Sequence, residues 1–75
     1  MFYKQDELPN LVGKNIAVVT IDNKFYYGIL KAVIGTQIEL AFPKRYVEYI
    51  YKTAIRCVAD DIEEIKMPNG NGWIR

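Results

Sequence analysis

The chain has 75 residues, 51% hydrophobic and 25% charged, a balance that predicts one small folded domain without room for a second core. Its formal net charge of +1 argues neither for nor against a nucleic-acid partner. With no histidine and one cysteine, Cys57, it excludes histidine triads, histidine metal sites and an intrachain disulfide.

At the N-terminus Asp6 and Glu7 stand where a secretory signal needs an apolar stretch. No uncharged apolar run approaches the ~20 residues of a membrane span, so a cytoplasmic protein away from the membrane is expected. Residues 5–12 have the length of one or two helical turns, and Pro9 keeps any helix short. Residues 15–21 are rich in β-branched side chains and read as a first strand, closed by a tight turn at Asp22-Asn23 that tolerates positive φ. Residues 24–33 form a long second strand, with Gly28 marking a bend or bulge because strong bending needs a residue without Cβ. After Gly35-Thr36, residues 37–40 alternate with a period of two. Pro43-Lys44-Arg45 ends that strand, residues 46–51 begin a fourth, and Lys52-Thr53-Ala54 connects it to a fifth over residues 55–58.

Five short strands, the second bent, predict a mainly β fold: a small, strongly bent antiparallel barrel of SH3-like or OB-like size. A short N-terminal helical turn precedes it. Residues 1–66 make the domain, and residues 67–75, rich in Asn and Gly, a flexible C-terminal tail. Val18, Tyr26, Leu30, Val33, Ile38 and Leu40 fall at barrel-filling positions. The ten aromatic residues exceed what one small core holds beside the aliphatics, so part of the apolar surface is expected to face another copy of the chain.

Two segments resemble a known family. Residues 11–30 combine an aliphatic strand, the Asp22-Asn23 turn and Gly28-Ile29-Leu30, a pattern similar to the first Sm motif. Residues 50–58, with Tyr51-Lys52-Thr53-Ala54-Ile55, resemble the Tyr-Lys-His-Ala-Ile block of the Hfq RNA chaperones, the bacterial branch of the Sm family. The resemblance implies a short helix before a five-stranded bent barrel. It also implies a closed homo-oligomeric ring of about five to seven subunits, in which the fourth strand of one subunit pairs with the fifth of the next. Such closure removes exposed strand edges that otherwise invite aggregation. It assigns Tyr51, Ile50, Ile55, Cys57 and Val58 to the subunit interface, and single-stranded RNA is the implied partner. The departures are specific. Thr53 stands where the family has histidine, and Val33-Ile34-Gly35-Thr36 replaces the stretch that supplies a stacking phenylalanine and a carboxylate, with Gln37 the nearest polar substitute.

Lys52, repeated around a ring, makes a circle of positive charge suited to phosphate. Thr53 either donates to a base or caps its turn. Lys44 and Arg45 either contact phosphate or guard a strand edge with charge. Phe25 and Tyr27 project opposite Tyr26, either to stack bases or to cover a neighbouring segment. Cys57 reads as a small buried hydrophobe. The leading expectation is a ring that binds single-stranded RNA as chaperone or scaffold. The competing one is a structural or protein-interaction ring that has lost the RNA pocket. No residue constellation calls for a cofactor, and none has the spacing of acid–base or nucleophilic catalysis, so an enzyme is not expected.

Overall fold

The computed structural model describes residues 2–43 and 46–61, so Lys44, Arg45 and the tail expected over residues 67–75 lie outside the described residues. In chain order the elements are β1 (Phe2–Tyr3), a 3₁₀ segment (Gln5–Leu11), β2 (Asn15–Thr20), β3 (Phe25–Ile34), β4 (Gln37–Phe42), β5 (Tyr46–Tyr51), a 3₁₀ turn (Lys52–Ala54) and β6 (Ile55–Ala59). The strands form one sheet in the order β1-β6-β2-β3-β4-β5, antiparallel throughout. The fold is therefore mainly β, a small and strongly bent barrel-like sheet behind a short N-terminal 3₁₀ turn. Five of the strands lie where the sequence places them. The additional one, β1, is two residues long and pairs with Val58 and Ala59. No helix among the described residues is long and apolar enough to cross a membrane.

Local features turn the chain and bend the sheet. Asn23 adopts φ 64° in the β2–β3 turn, the left-handed conformation that Asn tolerates better than most residues. Gly28 is buried where β3 passes close over β4: a Cβ there would lie 2.5 Å from the Ala41 carbonyl oxygen and 3.1 Å from the Phe42 ring. Further along β3 the register steps from Leu30↔Leu40 to Ala32↔Glu39, so Lys31 is an extra residue. Such a bulge increases the local twist and turns the strand.

The curled sheet buries one main cluster. Ile16, Val18, Leu30, Ile38, Leu40 and Val58 line its inner face and are fully buried, joined by Leu8 and Leu11 from the 3₁₀ segment. Each such side chain contributes about 1.5–3 kcal/mol relative to remaining in water. Tyr26 and Val33, expected in the core, are partly buried and pack against this cluster. A second cluster of Ala17, Val19, Cys57 and Ala59 lies on the other face of β2 and β6, with Phe2 packed against it. That is why β2 reads as an almost unbroken apolar run: it is buried on both faces. The chain start is fastened at β6, where the Tyr3 hydroxyl donates to the Asp60 carboxylate and the Lys14 ammonium donates to Tyr3 Oη at 3.1 Å.

Candidate nucleic-acid interface

One end of the sheet gathers most of the residues singled out in the sequence. Gln37 opens β4 and faces Tyr51, the last residue of β5, across the ladder. The chain then enters the 3₁₀ turn, where the Lys52 amide donates to the Thr36 carbonyl at 2.8 Å. The turn is anchored a second time by the Ile21 amide, which donates to the Ala54 carbonyl at 2.8 Å. Two backbone bonds from different loops thus hold Lys52 and Thr53 beside Gln37. Tyr51 and Thr53 are exposed, and Lys52 and Gln37 are half-buried. The arrangement supplies a cation, a hydroxyl, an amide and an accessible ring within one short stretch of surface. A ring offers its face to a base, and an ammonium is a point charge for phosphate.

Beside this end, a groove of about 370 Å³ runs between the β2–β3 turn and β5, lined in part by Asp22, Lys24, Glu48, Tyr49 and Tyr51. Its electrostatics is mixed. The Thr20 hydroxyl donates to the Asp22 carboxylate and holds it below its ordinary pKa, with Lys24 Nζ 3.9 Å away. Across the groove the Tyr46 hydroxyl donates to Glu48, and this bond, with the negative charge behind it, raises the tyrosine pKa.

β5 is the last strand of the sheet, and among the described residues its outer edge has no strand partner. Tyr46, Val47, Tyr49 and Tyr51 along it are all exposed, Tyr51 to 57%. A second apolar stripe runs along β3, where Phe25, Tyr27 and Ile29 are exposed while Tyr26 between them is partly buried and Gly28 and the following Leu30 are buried. Among the described residues the exposed aromatics are therefore gathered in two stripes, on β3 and β5, and not scattered.

The residues assigned to a subunit interface divide by burial. Tyr51 is exposed, whereas the side chains of Ile50, Ile55, Cys57 and Val58 are already buried inside the chain's own barrel. Burial also pushes the Cys57 thiol above its ordinary pKa, with the Arg56 charge opposing this to a lesser degree. One residue escaped sequence reasoning. Arg56 occupies a bulge where β6 steps from Val19↔Cys57 to Thr20↔Ile55, and its Nε is buried without a hydrogen-bond partner among the described residues. The signal was present as a lone charge in an otherwise apolar strand. Compared with protein-family models, curated proteins and solved structures, the chain matches none of them.

Proposed function

We propose that the chain is an Sm-like subunit that closes into a homo-oligomeric ring and binds single-stranded RNA as a chaperone or scaffold in the cytoplasm. One observation carries this reading. The unpartnered edge of β5 ends directly in Tyr51-Lys52-Thr53, beside Gln37. Strand addition along that edge repeats the four residues around an axis, turning one half-buried lysine into a circle of charge. Lys52 neutralises phosphate, Tyr51 and the β3 stripe offer ring faces, and Gln37 and Thr53 supply hydrogen bonds to bases. Lys44 and Arg45 add a second basic site. The interface uses the backbone edges that carry Ile50, Ile55 and Cys57, together with the Tyr51 ring, whereas at Val58 the outer edge of β6 is already taken by β1.

A second reading has its own support. The β3–β4 turn contains Gly35 and Thr36, with neither a ring nor a carboxylate to hold a base, and β3 exposes Phe25, Tyr27 and Ile29. A ring so built serves protein contacts. Fluorescence anisotropy with oligo(U) and oligo(A) at two salt concentrations separates the two. Saturable binding that weakens steeply with salt supports the RNA ring, and no binding to either strand at low salt leaves the protein-interaction ring.

A further inference from the structure

Two charged residues stand on strands toward opposite edges of the curled sheet, Glu48 on the last strand and Arg56 on the strand next to β1. On β5, Glu48 stands directly across from Leu40, a fully buried member of the core, so it projects from the inner face of the sheet. On β6, Cys57 belongs to the outer cluster and Ile55 and Val58 to the inner one. Alternation puts Arg56 on the inner face, and the bulge at Arg56 explains how Ile55 lies there too. Among the described residues the buried Arg56 Nε has no hydrogen-bond partner, and no carboxylate lies within 4 Å of the guanidinium. Glu48 accepts one hydrogen bond, from Tyr46, and among the described residues faces no cation within 4 Å. A buried guanidinium nitrogen without an acceptor is costly to keep, and so is a carboxylate drawn into an interface.

We infer that the two complete each other between copies: Arg56 of one subunit pairs with Glu48 of the next where β6 of the first lies along the free edge of β5 of the second. This rests on the ring reading above and names the contact that fixes its register. Two observations narrow the choice. First, β1 covers β6 along Val58 and Ala59, so an incoming strand is confined to the start of β6, where Arg56 sits. Second, side chains that meet across a ladder share a face, and the inner-face residues of β5 are Tyr46, Glu48 and Ile50. Of these three, Glu48 alone offers the planar acceptor that a guanidinium fork matches. A register one pair earlier or later sets Arg56 against Tyr46 or Ile50 and leaves the charge unanswered. The pair thus acts as a register pin on a mainly apolar edge, a role for which buried charge is suited.

The test is the mass of the full chain in solution, by native mass spectrometry with light scattering, for wild type, Glu48→Arg, Arg56→Glu and the double charge swap. Each single variant places like charges together and is expected to lose the oligomer while keeping the wild-type circular dichroism. The double variant is expected to regain it. Glu48→Gln and Arg56→Gln serve if the reversals do not fold. Each is expected to raise the dissociation concentration about tenfold, and the two together no further than either alone, because both remove one interaction. Single variants with wild-type mass, a folded double variant that stays dissociated, or fully additive Gln effects would overturn the pair while leaving the ring intact. A wild-type chain that is monomeric at micromolar concentration would overturn the ring reading itself, and this contact with it.

Discussion

Gly28 and Ala41 approach so closely that a methyl group on the glycine would lie 2.5 Å from the alanine carbonyl oxygen. The contact sets the bend that brings both ends of β3 around the core. Gly28→Ala must push apart two backbones and the Phe42 ring, and overpacking of this kind costs about 1–3 kcal/mol. The expected outcome is a lower urea midpoint with an unchanged slope. A midpoint equal to wild type would show that the sheet bends elsewhere.

Tyr51 and Ile55 lie close in the chain and should respond differently. Ile55 is buried in the main cluster, so Ile55→Ala is expected to lower monomer stability by about 2–5 kcal/mol. Tyr51 is exposed at the free edge, so Tyr51→Asp is expected to keep the circular dichroism of the fold and dissociate the ring. Analytical ultracentrifugation with denaturant titration checks both. A soluble Tyr51→Asp variant of wild-type mass would mean that the copies pair along other strands.

The Cys57 thiol is held above its ordinary pKa by burial, so less of it is thiolate at neutral pH than in an unfolded chain. Alkylation by iodoacetamide should therefore be slow in the native protein and rise toward the free-thiol rate in denaturant. The linkage has a definite sign. Because the folded pKa is raised, the stability this burial carries is present below the unfolded thiol pKa and is lost as pH climbs through the folded one. A native rate matching that of a small thiol at pH 7 would contradict the buried placement.

Much of this architecture was legible in the sequence because its signals are local. β-branched runs, the Asp22-Asn23 turn and the period-two stretch after Gly35 place β2, β3 and β4 to within a residue or two of where they lie. Gly28 announced the bend because strong bending in mid-strand needs a residue without Cβ. What was hidden depends on distant partners. Phe2–Tyr3 is too short to show any period, and it becomes a strand only against Val58 and Ala59. The bulge at Arg56 exists only relative to β2, and residues 55–58 alone read as a regular strand. Nothing in the sequence around Glu48 marks it out, and only the ladder sets it across from Leu40. For the candidate site, Tyr51, Lys52 and Thr53 were adjacent in sequence, but their meeting with Gln37 is a product of the β4–β5 register.

The most direct test of the RNA-binding ring is the salt dependence of oligo(U) binding for wild type and Lys52→Ala, measured by fluorescence anisotropy from low to physiological salt. Each phosphate neutralised on a single strand adds about −0.7 to the log–log slope, and the change is repeated in every subunit. The account predicts that Lys52→Ala binds more weakly and with a flatter slope than wild type. With Thr53 in place of histidine and no stacking ring in the β3–β4 turn, it also predicts that wild type prefers oligo(U) over oligo(A) only weakly. Tight oligo(U) binding with the same slope in both proteins would contradict it.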